Sequence, residues 1–243
     1  GYHWPNTALT HDLHSTLGAN PVRLDHYVRA TGAGDTVAEG GQRAFPPLFP
    51  SYRSPLADLL GLRFIVTKEP IEKIDRSLRA DTFTQIAQAG RFLIYENAKA
   101  MPRVLFATGA KAAQFQLIEK TGRWPIVDFG RTVLLEEPPR TSGHRRPGKI
   151  AIQSYRNNSV TLGVSSLDGG WAVLNDVWHP WWHGEIDGKA APVLKANVIF
   201  RAIEVPPGRH TVRFVFRPIA GAFAQLLNRP PIADNEQGPA ATQ

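Results

Sequence analysis

The chain of 243 residues is long enough to bury one good hydrophobic core or two small ones, and its 42% apolar content excludes a disordered protein. No segment approaches the run of about 18 apolar residues that a membrane-spanning helix needs, and the absence of cysteine excludes disulfides and thiol chemistry. A net charge of +7, spread along the chain, indicates general solubility first and a basic face towards anionic lipid second.

The first 140 residues are predicted to form a mixed α/β region. Asn20-Pro21 caps a helix over residues 22–30, and Ser54-Pro55 begins a second helix at 56–60. Further helices or helical turns are predicted at residues 70–78, 82–89 and 111–120. Strands are predicted at residues 62–67, 92–96, 103–107, 126–129 and 132–136. The polar, basic loop at 138–147 is the best internal boundary.

Two hairpins are predicted after this loop. Asn157-Asn158 separates two strands, and in the second of them Val160, Leu162 and Val164 face inward. Asp187-Gly188 is the strongest two-residue hairpin signal that a sequence offers, because both residues tolerate a positive φ. Each hairpin brings neighbouring strands into antiparallel register.

The last predicted strands complete an antiparallel unit. Pro206-Pro207-Gly208 is a turn, and residues 210–217 after it alternate between apolar and polar. In residues 171–177 and 197–205, apolar residues occupy both the odd and the even positions. This pattern predicts central strands that are covered on both faces.

The fold class predicted from these elements is α+β, with the mixed N-terminal region followed by a C-terminal antiparallel β-sandwich at 148–218. About seven strands joined by tight turns favour a jelly-roll-like or immunoglobulin-like sandwich. Residues 219–230 are predicted to form a short apolar helix, and 231–243 a disordered tail.

Several motifs in this order resemble the extracytoplasmic C-terminal domain of bacterial YfhO-type polytopic membrane proteins, which are related to the GT-C glycosyltransferases. The motifs are Phe92-Leu93-Ile94-Tyr95-Glu96-Asn97, Ala100-Met101-Pro102-Arg103, Asn157-Asn158-Ser159-Val160, Leu174-Asn175-Asp176-Val177-Trp178-His179-Pro180, Ile186-Asp187-Gly188-Lys189, Ala196-Asn197, Phe200-Arg201 and Val205-Pro206-Pro207-Gly208-Arg209-His210. The resemblance covers roughly residues 1–218, and the motifs are moderately specific.

The resemblance implies an outward-facing, non-catalytic module on the periplasmic side of the bacterial inner membrane. Its partners would be the transmembrane portion of its own parent protein and a glycan or lipid-linked sugar, without a cofactor. Gly1-Tyr2-His3-Trp4 has neither the basic start nor the apolar run of a signal peptide, so we expect the numbering to begin inside a longer protein. The family's catalytic carboxylate is expected near the first membrane helices, so no catalytic residue carries over.

The candidate glycan contacts are His179, Trp181, Trp182 and His183. Aromatic faces suit the C–H surfaces of pyranose rings, although tryptophans equally serve as sandwich core. Trp181 stands where the family often has glycine, so it is the better exposed contact, and Trp182 is expected to belong to the core. Pro180 argues against the helix that would let both histidines bind one metal, and no metal site is expected.

The candidate phosphate or lipid contacts are Arg140, Arg145 and Arg146 in the basic loop, which can equally be a solvated linker. No nucleic acid is expected, because no recognised binding motif accompanies the positive charge. Three functions remain open: a non-catalytic domain of a membrane glycosyltransferase-like protein, a carbohydrate-binding module with an exposed tryptophan, and a structural or assembly domain without a ligand.

Overall fold

A computed structural model describes residues 25–32, 45–137 and 145–219, and over these ranges the chain is mostly β. The helices are α1 (Asp25–Thr31), α2 (Pro55–Leu59), α3 (Ile71–Ile74) and α4 (Phe115–Thr121). The first strands are β1 (Phe64–Thr67), β2 (Thr84–Ala89), β3 (Phe92–Glu96), β4 (Val104–Ala107), β5 (Gly109–Ala112), β6 (Thr132–Leu135) and β7 (Lys149–Arg156). The others are β8 (Ser159–Ser166), β9 (Gly170–Leu174), β10 (Trp182–Ile186), β11 (Lys189–Ala191), β12 (Leu194–Ala196), β13 (Phe200–Val205) and β14 (Gly208–Phe216). No helix within the described ranges is long and apolar enough to span a bilayer.

The first sheet contains three antiparallel strands in the order β1-β3-β2. Ile65 and Tyr95, which pair across β1 and β3, are buried in a core beneath one face of this sheet. That core also contains side chains of α2 and α4, together with Val198 and Phe200 from the C-terminal half. The sheet is therefore attached to the rest of the molecule through this one face.

The second sheet contains five antiparallel strands in the order β11-β10-β14-β8-β7. Both predicted hairpins are confirmed in it: β7 and β8 flank Asn157-Asn158, and β10 and β11 flank Asp187-Gly188. Asp187 and Gly188 have φ values of 51° and 77°, the left-handed conformation that a two-residue hairpin turn requires. Val160, Leu162 and Val164 are buried, as their alternation along β8 predicts.

The third sheet contains six strands in the order β4-β9-β13-β12-β6-β5, with β5 and β6 parallel. All five residues of β9 are buried, which confirms the prediction of a central strand covered on both faces. Strands β4, β5 and β6 precede residue 140, whereas β9, β12 and β13 follow it. The sheet therefore crosses the boundary predicted between residues 1–140 and 148–218.

The five-stranded and six-stranded sheets share a hydrophobic core. The buried side chains of this core come from β4, β8, β9, β13 and β14, and they include Phe106, Val160, Leu162, Ala172, Leu174, Ile203, Val212 and Phe214. A further buried cluster lies on the opposite face of the six-stranded sheet, and its side chains include Leu105, Val133, Trp171, Val173 and Ala202. Central strands buried on both faces explain why their sequence shows no alternation.

Two predicted elements are of the wrong type, and two others begin too early. The helix predicted at 111–120 begins at Phe115, because its first residues belong to β5, and the strand predicted at 197–205 begins at Phe200, because Asn197 and Val198 have positive φ. Residues 82–89, predicted as a helix, contain strand β2, because Gly90 turns the chain and β2 pairs with β3. Residues 126–129, predicted as a strand, form no ladder; Ile126 is fully exposed and Phe129 packs edge-on against Trp124. The predictions for residues 219–230 beyond Ile219, for 231–243 and for Arg140 lie outside the described residues.

Candidate functional site

Asp176 is the centre of a network of charged groups contributed by distant parts of the chain. Arg103 Nη1 lies 2.6 Å from Asp176 Oδ1, and Arg201 Nη2 lies 3.3 Å from Oδ2. The Tyr155 hydroxyl donates a hydrogen bond of 2.8 Å to Oδ2. Arg201 is 2% exposed and Asp176 15% exposed in their side chains, so the pair is largely removed from water.

Strand pairing brings these residues together. Leu174 of β9 pairs with Val104 of β4 on one side and with Arg201 of β13 on the other. The residues just beyond these pairs, including Arg103 and Asp176, therefore meet at one end of the sheet. Asn175 fixes the arrangement, because its backbone N–H donates to the Arg103 carbonyl at 2.8 Å and its side-chain amide donates to the Pro102 carbonyl at 3.1 Å.

A cavity of about 450 Å³ opens beside this network. It is lined by Tyr155, Arg156, Asn157, Val160, Asp176, Val177, His179, Trp182, Arg201 and Phe216. The Arg201 guanidinium lies 3.8 Å from the centre of the Trp182 ring, and Phe216 packs against that ring at 5.1 Å. The cavity thus combines aromatic surface with hydroxyl, amide, carboxylate and guanidinium groups, as binding sites for small polar ligands do.

Burial shifts the protonation equilibria around the cavity. Burial lowers the pKa of Arg201 to about 10 although Asp176 opposes the shift, so the guanidinium stays charged at neutral pH. Burial and the neighbouring Asp176 carboxylate raise the pKa of Tyr155 to about 12, which keeps the phenol protonated as a donor. Partial burial lowers the pKa of His179, so its imidazole is neutral at neutral pH.

Hydrogen bonds already engage both oxygens of the Asp176 carboxylate. Oδ1 accepts from Arg103, and Oδ2 accepts from Tyr155 and Arg201. Among the described residues that line the cavity, Asp176 is the one carboxylate, so the pair of opposed acids that glycoside hydrolysis needs is not found there.

The structure separates the four predicted glycan contacts. His179 and Trp182 line the cavity, whereas Trp181 packs beside it against His179 and Phe216, with ring centres 4.6 Å and 6.1 Å away. Trp181 is only partly exposed and its indole nitrogen is shielded from solvent. His183 follows Trp182 along β10 and is exposed, because alternate side chains of a strand point to opposite faces.

The two predicted phosphate contacts within the described ranges are engaged by protein groups. The Arg145 guanidinium lies over the Trp171 ring at 4.5 Å and 3.7 Å from Glu204, and its side chain is mostly buried. Arg146 is exposed and forms an ion pair with Asp168 at 2.8 Å. Arg145 thus joins the end of the basic loop to the six-stranded sheet, and Arg146 joins it to the turn between β8 and β9.

Sequence reasoning missed Arg103, Tyr155 and Arg201 as site residues. A usable signal was present at Arg201, which, with Glu204, is one of two charged residues within the mainly apolar segment 197–205. A charge in a fully covered strand needs a partner, because an unpaired buried ion is strongly destabilising. The identity of that partner depends on pairing across long sequence separations, which spacing does not reveal.

A second, wider groove of about 960 Å³ lies elsewhere, and its lining includes Lys149, Asp187, Arg209 and His210. It is less suited to specific binding, because its charged side chains are mostly exposed and Asp187 and His210 pair with each other at 2.6 Å. Nowhere in the described ranges do three His, Asp or Glu side chains group closely enough to hold a metal ion. Comparison of the chain with family models, with curated proteins and with solved structures finds no match.

Proposed function

We propose that this chain is the extracytoplasmic, non-catalytic domain of a YfhO-type, glycosyltransferase-like membrane protein, and that the cavity beside Asp176 holds a glycan during cell-envelope assembly. In this proposal the two larger sheets form a β-sandwich over their shared core, on the periplasmic face of the bacterial inner membrane. The transmembrane portion of the same protein is its partner and supplies the sugar-transfer chemistry.

The convergence of family-like motifs at the cavity carries the proposal. Arg103 ends one motif, Asn175 and Asp176 stand in a second, and Arg201 ends a third. Hydrogen bonds and ion pairs join all three motifs beside the cavity.

The lining of the cavity suits a sugar. Pyranose rings present C–H faces that pack on aromatic rings, and Tyr155 and Trp182 supply such surfaces. Hydroxyl groups on the ring edge need donors and acceptors, which Arg156 and Asn157 offer from the exposed rim. A cavity of about 450 Å³ is within the range of small-molecule sites.

A glycan array probed with the chain tests the binding half of the proposal. We expect recognition of envelope-type glycans, reduced at least about tenfold by Arg156→Ala, because a lost charge-assisted hydrogen bond costs about 1.5–3 kcal/mol. Arg123→Ala is the matched control, since Arg123 is also exposed and lies outside the cavity lining. A silent array would contradict glycan binding and favour a structural domain without a ligand.

A sugar-transfer and hydrolysis assay tests the non-catalytic half. We expect no turnover by the isolated chain with lipid-linked or activated sugars, since Asp176 is occupied by three donors. Turnover that depends on the described residues would contradict this half and leave the binding result untouched.

A carbohydrate-binding module without a membrane-embedded parent is the second candidate. The observation in its favour is the position of Trp182 in the cavity lining, which serves a glycan equally well in either setting. The full-length reading frame distinguishes the two, because the preferred function requires about ten or more apolar spans upstream, each long enough to cross a bilayer.

A further inference from the structure

The outer face of the three-stranded sheet carries an apolar surface, which we define by Phe64, Val66, Phe92 and Ile94. Phe64 and Val66 alternate with the buried Ile65 and Thr67 along β1 and are 50% and 59% exposed. Val66 pairs directly with Ile94 of β3, so the two side chains share the face turned away from the core.

The neighbouring strand β2 extends this surface outwards. All six residues of β2 are exposed, so this strand is covered on neither face and forms the outer edge of the sheet. Ile86, at the bulge in β2, is 47% exposed. Exposed apolar side chains concentrated on one small sheet mark an interaction site, whereas isolated ones need no explanation.

Arginines lie directly over the two exposed phenylalanines. The Arg63 guanidinium is 5.2 Å from the Phe64 ring centre, and the Arg91 guanidinium is 5.5 Å from that of Phe92. Glu96, the one acidic side chain on the three strands of this sheet, forms an ion pair with Arg63 at 3.2 Å, which leaves Arg91 as the net positive charge beside the apolar surface. Apolar rings topped by cations match the boundary of an anionic bilayer, where rings enter the head-group region and guanidinium groups meet phosphates.

We propose that the apolar surface defined by Phe64, Val66, Phe92 and Ile94 docks onto an anionic lipid bilayer, with Arg91 contacting lipid phosphates. This surface is separate from the cavity beside Asp176, and the inference does not depend on glycan binding. A second copy of the chain is the less favoured occupant, because stacking the same face would oppose like arginines and two chains of net charge +7.

Co-sedimentation with vesicles of phosphatidylcholine containing about one quarter phosphatidylglycerol tests the proposal. We expect the chain to bind these vesicles more tightly than pure phosphatidylcholine vesicles, and less tightly as salt is added. Phe64→Ser with Phe92→Ser should weaken binding at least about tenfold, because both lose apolar area that would leave water. The matched control is Leu117→Ser with Leu167→Ser, two comparably exposed residues on other parts of the molecule.

A second measurement remains valid if the serine variants fold poorly. The chain has no cysteine, so Val66→Cys and the control Leu167→Cys can each carry one environment-sensitive dye. We expect the dye at residue 66 to shift to the blue when anionic vesicles are added, and the dye at residue 167 to stay unchanged.

Several results would overturn the proposal. They are no vesicle binding by the wild-type chain, equal responses from both dyes, or a dye at residue 66 that is already shielded without lipid. A dimer in solution that the Phe64→Ser and Phe92→Ser changes dissociate would also overturn it, since a second copy would then cover the face.

Discussion

At the scale of single residues, Asp176 is the acceptor on which the cavity depends. Arg201 is almost fully buried, and Asp176 is its carboxylate partner. Such an ion pair adds little stability relative to a pair of apolar side chains in the same place, because removing both charges from water is costly. Losing one member is different, since the remaining charge stays buried without compensation.

Asp176→Asn should therefore destabilise the protein by about 3 kcal/mol, because Arg201 and Arg103 lose their common counter-charge. Urea denaturation of the two proteins measures the difference. Asp168→Asn is the control, since the ion pair of Asp168 with Arg146 is exposed and its loss should change stability little. Equal effects of the two substitutions would mean that the network beside the cavity is not held by charge.

His210 of β14 and Asp187, in the turn between β10 and β11, form a second ion pair. The hydrogen bond to Asp187 raises the pKa of His210, and the same bond lowers the pKa of Asp187. A raised histidine pKa stabilises the folded state below the unfolded value of about 6.5 and loses this effect as pH rises through the folded pKa. A lowered aspartate pKa stabilises the folded state above the unfolded value of about 3.9, and this stabilisation is lost as pH falls through the folded pKa.

The pair should therefore contribute most between about pH 4 and pH 6.5. We expect the difference in Tm between the wild type and His210→Gln to be largest in this window and to shrink towards pH 9 and towards pH 3. Thermal melts across this pH range measure it. A difference that stays constant with pH would show that His210 acts through packing alone.

At the scale of elements, Gly122 ends α4 in a left-handed conformation, with φ at 66°. A Cβ added there would lie 2.1 Å from the Pro47 carbonyl oxygen. Gly90 has a similar φ of 57° between β2 and β3, but a Cβ there would meet no atom within 4 Å. Substitution of Gly90 therefore measures backbone strain alone, whereas substitution of Gly122 adds a steric conflict.

Gly90→Ala should cost about 1 kcal/mol, the ordinary cost of a left-handed alanine. Gly122→Ala should cost at least about 2 kcal/mol more, because the segment containing Pro47 must move away from α4. Chemical denaturation of both variants tests the comparison. If the two costs are equal, the contact between Pro47 and the end of α4 is looser than the structure indicates.

How far the sequence predicts an element depends on where its determinants lie. The turns at Asn157-Asn158 and Asp187-Gly188 are predictable, because two adjacent residues fix each turn. Strand β2 is not, because pairing with β3 and not its own composition makes it a strand. The cavity is the extreme case, since Arg103 and Asp176 are 73 residues apart and meet only through the order of β4 and β9 in the sheet.

At the scale of the whole molecule, the two halves of the chain share their cores. Each of the three hydrophobic clusters contains side chains from before residue 140 and from after residue 148. In one cluster Val198 and Phe200 pack with Phe49 and Leu59, and in another Trp171 shares a core with Val133. Part of the apolar surface of each half therefore leaves water only when the two halves assemble.

A fragment of residues 145–219 should therefore fail to fold independently. Without β4, β5 and β6, strand β9 becomes an edge, and the cluster around Trp171 and Val173 faces solvent. We expect the fragment to show no cooperative thermal transition and poorly dispersed amide signals by NMR, whereas co-expression with residues 45–137 should restore both. A fragment that melts cooperatively by itself would contradict this expectation. The predicted division between 1–140 and 148–218 would then separate autonomous domains, and the Arg103–Asp176 contact would lie between two bodies instead of inside one.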